Sequence, residues 1–406
     1  MTSQYFDDFP VCEPSFCGQS GRTALRDVAA SLGLPFSDDL EKSLALAPRR
    51  VFLGVETDFT AFRETRVTVT RLTQERADGL REAVGSVLQD DAYDAAGGAG
   101  HLVGRLGFGL TWACNRYGRA ALQPLHLAAA ADSGDGASLG AAARAALRFF
   151  WELLALGLPG RRFTSRRGDR RRPILIWSDA MWEETSQSPA GIGFVVFIPA
   201  DGSAEGSREG KWYYSYARVG SVFMERFVAR RQYIGQLELL GAVAVYYSLM
   251  RDSRTRHALP GRDVIHYVDN SGAAAALCKG YGRAVDSARI VHAMWAAACA
   301  IGCSPWFLYI RTKGNIADVP SRFYQARDRG EEAEFAAEMA YITADLGAEW
   351  IDMVVPAVLD WPAASGALAA VASGLAVDEG ASAAGSGNAA GKRVRDRGGK
   401  RARASV

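Results

Sequence analysis

The chain has 406 residues, 49% of them hydrophobic and 23% charged, and a formal net charge of +2. This length and composition predict about two or three domains with sizeable cores. No run of about 18 apolar residues occurs, and no basic segment followed by an apolar one opens the chain, so we expect neither a membrane span nor secretion. The six cysteines lack zinc-site or disulfide spacing, which favours a reduced intracellular protein of the cytoplasm or nucleus.

The first part of the chain predicts one strand followed by helices. The segment VFLGVETDF, from residue 51, is typical of a short buried strand and its exit. Apolar residues at helical spacing then predict three helices, at 67–88, 92–114 and 138–157. The helix-breaking sequence LPG at 158–160 follows, and we expect a domain boundary there.

Two segments are strongly basic. The segment RRFTSRRGDRRRP at 161–173 holds seven arginines and one acid, and the tail at 391–406 is basic as well. Such clusters suit a nucleic-acid backbone, because each neutralised phosphate releases counterions. The alternative is a solvated linker and a solubilising tail.

From Pro173 onward the pattern is that of strands alternating with helices. Apolar, β-branched and aromatic runs predict strands at 173–179, 190–199, 211–219, 264–269 and 305–310. Helices are predicted at 234–251, near 271–280 and at 284–301. This β-β-β-α-β-α-β order predicts a mixed five-stranded α/β sheet with flanking helices. Residues 331–361 look helical and acidic, and the Ala/Gly/Ser-rich, then basic, residues 362–406 are expected to be disordered.

Four acids stand out in this second part. Asp179 and Asp269 each end a predicted strand, and parallel neighbours would place both at one edge of the sheet. Glu238 lies on an inward helix face, where an ionised carboxylate is costly without a compensating cation or donor. Asp318 follows the last strand, in GNIADVPSRF.

Each acid also has an ordinary structural explanation. Asp269 could cap the helix that begins at NSGAAAAL, and Asp318 could cap a helix ahead of Pro320. Asp179 could start a turn, and Glu238 could point along a helix edge into water. Taken together, carboxylates at one sheet edge are the ligands that Mg²⁺ prefers. Two such ions about 4 Å apart activate water and stabilise a leaving oxygen in phosphodiester cleavage.

The local strings around these acids resemble one family. WSDA at 177–180, QLELLGA at 236–242, YVDNSGA at 267–273 and GNIADVPSRF at 314–323 resemble the ribonuclease H domain of retrotransposon reverse transcriptases of tyrosine-recombinase or Ty3-like elements. The resemblance implies a ribonuclease H-like fold and two Mg²⁺ ions, for which Mn²⁺ can substitute. It implies that Asp179 bridges both ions, that Glu238 and Asp269 hold one, and that Asp318 holds the other.

The upstream part resembles the rest of such a reverse transcriptase. QYFDDF is similar to the Tyr-x-Asp-Asp box of the polymerase palm, which implies Tyr5 as its tyrosine and Asp7 and Asp8 as metal ligands. Lys42 lies where the family has a lysine near the nucleotide phosphates. The implied parts are a truncated palm at 1–62, a helical thumb at 63–128, a connection with an Arg-rich linker at 129–172, the ribonuclease H-like domain at 173–330, a helical extension at 331–361 and a basic tail at 362–406.

The palm's other metal-binding aspartate and the fingers would precede this sequence, so no polymerisation is expected from this chain alone. A separate polypeptide could supply them. The family often has a histidine ahead of the last aspartate, and none lies between Ile310 and Asp318 here. His292 is expected to be a core or surface residue. Glu183 and Glu184 are expected to belong to a solvated turn, although they could be mistaken for ligands.

Several residues are candidates for contact with nucleic acid. Lys279 and Arg283 in CKGYGR could bind phosphates beside flexible glycines, although the segment could equally be a plain turn. Arg166, Arg167, Arg170 and Arg171 are the candidates in the linker. The aromatic strand KWYYSYARV could stack bases, but a strand facing the core is the better explanation.

Three hypotheses follow from the sequence. The first is a Mg²⁺-dependent endonuclease that cuts RNA in RNA–DNA hybrids, recognising strand shape and 2′-hydroxyls rather than base sequence. The second is a catalytically idle nucleic-acid-binding remnant of a retroelement. The third is a truncated product that does not fold stably, because half a palm leaves apolar surface uncovered.

Overall fold

A computed structural model describes residues 20–33, 47–65, 67–91, 98–131, 139–156, 160–164, 172–184, 189–200 and 209–356. Of the predicted functional residues, Tyr5, Asp7, Asp8, Lys42 and the linker arginines Arg166, Arg167, Arg170 and Arg171 lie outside these ranges. The basic tail lies outside them as well.

The first described part of the chain contains a small antiparallel sheet and six helices. Its strands are β1 (Arg49–Phe52), β2 (Val55–Asp58), β3 (Val67–Leu72) and β4 (Arg161–Thr164), paired in that order. Its helices are α1 (Ser20–Ser31), α2 (Phe62–Thr65), α3 (Gln74–Asp90), α4 (Gly98–Cys114), α5 (Gln123–Ala131) and α6 (Ala141–Ala155).

Two predictions for this part were wrong. The segment VFLGVETDF is a hairpin rather than one buried strand, with Leu53 and Gly54 at positive φ in its two-residue turn. The helix predicted at 67–88 begins instead with β3, because alternating Val and Thr side chains suit a strand. The helix starts only at Gln74, where the Thr73 side chain accepts a hydrogen bond from the Arg76 amide.

The second part contains a mixed sheet of six strands within the described residues. They are β5 (Ile174–Trp182), β6 (Ala190–Pro199), β7 (Gly210–Arg218), β8 (Asp263–Val268), β9 (Ser304–Tyr309) and β10 (Glu349–Trp350). Their order is β10-β7-β6-β5-β8-β9. Strands β5, β6 and β7 form an antiparallel meander, whereas β8 pairs parallel to β5, β9 to β8 and β10 to β7.

The predicted sheet of five strands was therefore one strand short. The sixth, β10, has two residues, too few to show the alternation by which strands are recognised. It lies within residues 331–361, which were predicted to be helical; of their described part, 331–356, only residues 332–345 are helical.

Helices cover both faces of this sheet. They are α7 (Ser221–Met224), α8 (Ile234–Arg251), α9 (Ser271–Lys279), α10 (Val285–Ile301), α11 (Asp318–Ser321), α12 (Phe323–Arg329) and α13 (Glu332–Ala340). Helix α8 packs on β5 and β6 and against α10, while α11 packs on β5 and β6 from the other face. Adjacent strand residues show this, since Ile192 faces Gly241 of α8 and Gly193 faces Ser321 of α11.

The two parts share one continuous apolar core. His292 of α10 packs between Tyr117 and Phe149, with ring centroids 5.1 and 4.9 Å away. Burial lowers the pKa of this histidine to about 3, so it is neutral at physiological pH. The sequence left open whether His292 is a core or a surface residue, and the structure shows that it is a core residue. Among the described helices, none is long and apolar enough to cross a membrane.

Candidate metal centre

Two aspartates lie side by side where a pair of parallel strands separates. The ladder between β5 and β8 ends at the pair Ser178 and Val268, and the next residues along the two strands are Asp179 and Asp269. Asp179 was expected to end its strand, but β5 continues to Trp182 because it remains paired with β6. Both acids are at the carboxyl edge of the parallel pair, as the sequence predicted.

Glu238 joins them from helix α8. Gly241, one turn later, lets the helix approach β5 closely, since a Cβ atom there would lie 3.2 Å from the Asp179 carbonyl oxygen. One carboxylate oxygen from each of Asp179, Glu238 and Asp269 lies within 4.8 Å of the other two. We call these three residues the acidic cluster.

Burial makes the acidic cluster electrostatically costly. Asp179 and Glu238 are only 4% and 3% exposed. Burial, then repulsion from Asp179 and Asp269, raises the pKa of Glu238 to about 10. Burial is also the largest cause that raises the pKa of Asp179 to about 7, against a lowering hydrogen bond from Ser321. At neutral pH the folded chain thus holds protons that a bound cation would displace.

The acidic cluster fits a divalent cation. Oε2 of Glu238 is buried and has no hydrogen-bond partner among the described residues. An orphaned buried carboxylate oxygen is unfavourable, and a hard cation with oxygen ligands would satisfy it. These residues could therefore hold a metal ion, although their geometry does not identify which one.

Asp318 lies near the acidic cluster but is not part of it. It is the first residue of α11, and its carboxylate forms an ion pair with Arg322, one turn later. Its side chain is 28% exposed. The structure thus brings together three of the four predicted ligands, while the fourth, Asp318, is paired with Arg322.

A short turn connects Asp318 to the acidic cluster. The Ser321 hydroxyl lies 2.6 Å from Oδ2 of Asp179, to which it donates, and 2.9 Å from the Asp318 carbonyl oxygen. This contact requires glycines on β6, because a Cβ atom at Gly191 would lie 2.2 Å from the Ser321 carbonyl oxygen and one at Gly193 would lie 2.5 Å from its amide nitrogen. The GIG sequence of β6 is the signal that could have revealed this close approach.

Asn315 fixes the loop ahead of Asp318. Its buried side-chain amide donates to the Ser178 carbonyl at 3.0 Å, and its side-chain oxygen accepts from the Ala317 amide at 3.3 Å. The loop is thereby attached to the residue just before Asp179. Sequence reasoning missed this role, because the burial that requires Asn315 to form hydrogen bonds is not visible in GNIADVPSRF.

A buried chain of polar side chains joins β8, β5 and α8 next to the acidic cluster. Nε2 of His266 lies 2.8 Å from the Ser178 hydroxyl, and its Nδ1 lies 3.4 Å from the Tyr246 hydroxyl. Burial lowers the pKa of His266 to about 3, which keeps the ring neutral. Sequence reasoning did not single out this histidine, which was visible as the one polar interruption of VIHYVD before its aspartate.

The structure also decides most of the alternatives for the acids. Asn270, not Asp269, caps α9, because its side chain accepts from the Ala273 amide. Asp318 makes no side-chain cap, since α11 begins after Ala317 without one. Asp179 lies within a strand rather than at the start of a turn, and Glu238 is buried rather than directed into water. Glu183 pairs with Arg329 at 2.5 Å and lies outside the acidic cluster.

The segment CKGYGR is the turn between α9 and α10. Lys279 and Arg283 are exposed on it. Its two glycines serve protein packing, because a Cβ atom at Gly280 would lie 2.8 Å from Arg116 and one at Gly282 would lie 2.6 Å from Ser287. The plain-turn alternative explains the glycines, while the role of the two cations stays a prediction.

The aromatic strand β7 packs mainly within the protein. Tyr216 contacts Phe323 and Trp350, with ring centroids 4.3 and 4.9 Å away, and Tyr213 is buried. The explanation of a strand facing the core accounts for these side chains.

Comparisons with models of known protein families and with curated proteins gave no match for this chain. The resemblance to reverse transcriptases therefore stays a prediction. Function has to be argued from the acidic cluster and its surroundings.

Proposed function

We propose that this chain is a ribonuclease H-type endonuclease that hydrolyses the RNA strand of RNA–DNA hybrids with two bound Mg²⁺ ions. The observation that carries the proposal is the acidic cluster, in which Asp179, Glu238 and Asp269 converge at the carboxyl edge of two parallel strands. Phosphodiester hydrolysis by metal ions requires carboxylates gathered in this way.

The sheet supports the same proposal. Its strands β7, β6, β5, β8 and β9 form an antiparallel meander followed by two parallel strands, with the acids on the central strand, on the first long helix and on the next parallel strand. This is the arrangement that a ribonuclease H-like fold requires. The fold, and the origin of the chain as the C-terminal part of a retroelement reverse transcriptase, are parts of the proposal.

Each side chain has a defined task in this proposal. Asp179 would hold both ions, Glu238 and Asp269 would hold one, and Asp318 would hold the other after leaving Arg322. Bound Mg²⁺ would supply an activated water and neutralise charge on the scissile phosphate. Ser321 orients the Asp179 carboxylate through its 2.6 Å hydrogen bond, and Asn315 fixes the loop that carries Asp318.

The test is cleavage by the full chain, with Mg²⁺, of a hybrid that carries a different label on each strand. We expect RNA-strand cleavage that requires the metal and falls by about 10³-fold in Asp269→Asn, since several kcal/mol of transition-state stabilisation are lost. The matched control is Asp263→Asn, an exposed aspartate at the other end of β8. Equal cleavage by the two variants, or cleavage of the DNA strand, contradicts the proposal.

One observation favours a second candidate, a catalytically idle module that binds nucleic acid. Asp318 is engaged with Arg322 instead of facing the acidic cluster. In that case the chain would bind the hybrid in a salt-sensitive way without cutting it, at any Mg²⁺ or Mn²⁺ concentration. The same hybrid, followed by fluorescence anisotropy and by gel, separates the two candidates.

A further inference from the structure

Four cationic residues lie on segments that come together where the first part of the chain contacts the second. They come from three separate segments, namely the turn after α4, strand β4 and the end of α9. We call them the basic cluster, and they are Arg116, Arg119, Arg161 and Lys279.

Backbone contacts hold the basic cluster together. The Arg119 guanidinium donates to the Lys279 carbonyl at 3.3 Å. Gly280 lies directly against Arg116, since a Cβ atom there would be 2.8 Å from the Cβ of that arginine. The Arg116 guanidinium also lies over the Trp295 ring, 5.5 Å from its centroid.

Arg161 joins the cluster from β4. Its guanidinium lies over the Phe163 ring, 4.4 Å from the centroid. Strand β4 contacts α4, the helix that leads into the turn carrying Arg116 and Arg119. In agreement, repulsion from these two arginines follows burial among the causes that lower the pKa of Arg161.

The described part of the chain does not neutralise this charge. None of the four cations forms an ion pair with a described carboxylate. Arg116, Arg119 and Arg161 are all partly buried, so water screens their repulsion less than at an open surface. Arginine does not relieve such repulsion by losing its proton, so an anion is the natural partner.

We propose that the basic cluster is a second contact site for duplex nucleic acid, which binds the phosphodiester backbone away from the acidic cluster. Guanidinium groups recognise phosphate through paired hydrogen bonds, and a lysine adds a point charge. This proposal rests on the proposed function for the choice of nucleic acid as the anion.

The distance between the two sites suits a duplex. Helix α9 begins two residues after Asp269 and ends at Lys279, so the basic cluster lies about 14 Å along the helix from the acidic cluster. A duplex carries roughly one charge per 1.7 Å of its axis, so several phosphates separate two points that far apart. One duplex could therefore contact both sites at once.

The experiment measures hybrid binding without cleavage. The full chain is titrated into a labelled RNA–DNA hybrid in EDTA at several salt concentrations. Three proteins are compared: the parent chain, a variant carrying Arg116→Gln, Arg119→Gln and Arg161→Gln, and a control with three exposed arginines replaced, namely Arg63→Gln, Arg226→Gln and Arg251→Gln. Both variants lose the same net charge.

We expect the basic-cluster variant to bind about 10- to 100-fold more weakly at about 0.1 M salt, with a salt slope smaller by roughly 2 to 3. The control should stay within about threefold of the parent. Equal losses in both variants, or none in the basic-cluster variant, overturn the proposal. Should the triple variant not fold, Arg119→Gln alone should lower the slope by about 0.9, and an unchanged slope overturns the proposal.

The outcomes for this proposal and for the proposed function are independent. Weaker binding by the basic-cluster variant, with no cleavage by the parent chain in Mg²⁺, supports the basic cluster and refutes the nuclease. Cleavage by the parent chain, with equal hybrid binding by all three proteins, supports the nuclease and refutes the basic cluster as a contact site.

Discussion

The acidic and basic clusters are both groups of like charges that the described chain leaves without a counter-charge. They differ in whether a change of protonation can relieve the repulsion between these charges. The carboxyl groups of Asp179 and Glu238 can hold protons, and burial raises the pKa of each. The arginines stay charged at every pH of interest. The acidic cluster can thus exist in a neutral form without its cation, whereas the basic cluster depends on solvent or an anion.

The two clusters also differ in how they are built. The acidic cluster lies at the ends of two central strands and on a buried helix, and the Asp179 carboxylate is held by Ser321, which packs on the glycines of β6. The basic cluster lies on a turn, an edge strand and the end of a helix, where backbone contacts bring segments of both parts together. Buried support suits ligands that must hold a small ion in a set geometry, while partly exposed cations suit contact with a polymer backbone.

The largest expected effect comes from breaking the support of the acidic cluster. In Gly193→Ala the new Cβ would lie 2.5 Å from the Ser321 amide nitrogen, so α11 has to move off β6. We expect the free energy of unfolding to fall by roughly 1 to 3 kcal/mol, as overpacking in a core does. Urea denaturation measures this loss.

A second glycine-to-alanine variant is the control. It separates the effect of the steric clash on stability from the effect of the lost chain entropy. Gly235 lies in the first turn of α8 with nothing within 4 Å of an added Cβ. Gly235→Ala should leave stability unchanged or raise it by up to about 1 kcal/mol. A Gly193→Ala variant as stable as this control would show that α11 does not depend on the glycines of β6.

The second part of the chain shows how much of the fold and of the site could be predicted from the sequence. Strands β5 to β9 and helices α8 to α10 were predicted closely, because each is a run of mostly apolar, β-branched or aromatic residues of the length typical of its type. Asp179 and Asp269 could be brought together from that order, because parallel strands share a carboxyl edge. Glu238 was added from its inward helix face and from the family resemblance.

Other features depend on contacts between segments distant in the chain. The hydrogen bond from Ser321 to Asp179 joins residues 142 positions apart, and the contact of Arg119 with Lys279 joins residues 160 apart. The ion pair of Asp318 with Arg322 is local, but a carboxylate at the start of a helix is equally compatible with capping, ligation or pairing. Sequence periodicity carries no information about which of these occurs.

A second prediction tests whether the acidic cluster is neutralised by protons. Both raised pKa values mean that the folded chain binds more protons than the unfolded chain. The stability contributed by these groups is therefore complete below their ordinary pKa values of about 4 and is lost as the pH rises through about 7 and about 10. Without metal, Glu238→Gln should raise the free energy of unfolding by roughly 1 to 3 kcal/mol at about pH 8 and little at about pH 5.

The measurement is thermal or urea unfolding in EDTA at both pH values. Glu332→Gln, an exposed glutamate in the first turn of α13, is the control and should not show this dependence on pH. Adding Mg²⁺ should stabilise the parent chain more than Glu238→Gln, because a ligand that binds only the folded state adds to its stability. If Glu238→Gln lowers the free energy of unfolding at both pH values, Glu238 is a structural core residue whose carboxyl group has a stabilising partner.

The smallest expected effect concerns the fourth acid. In Arg322→Gln the carboxylate of Asp318 loses its ion-pair partner and becomes available to the cation of the acidic cluster. An exposed ion pair contributes up to about 1 kcal/mol, so the Mg²⁺ concentration that gives half of the thermal stabilisation should fall by up to about fivefold. This measurement does not require cleavage, and it therefore reports on Asp318 even if the nuclease is inactive.

The control is Arg329→Gln in α12, which breaks the ion pair with Glu183, the residue after β5, and should leave the Mg²⁺ dependence unchanged. If Arg322→Gln also leaves it unchanged, Asp318 is not a ligand and the site is limited to the three acids that already meet. If Arg322→Gln needs more Mg²⁺ than the parent chain, the arginine holds Asp318 in a useful position, and the pair is part of the site. Only a lower requirement for Mg²⁺ in Arg322→Gln agrees with an arginine that competes with the metal for the Asp318 carboxylate. The basic cluster is expected to compete in a similar way, with salt cations for phosphate.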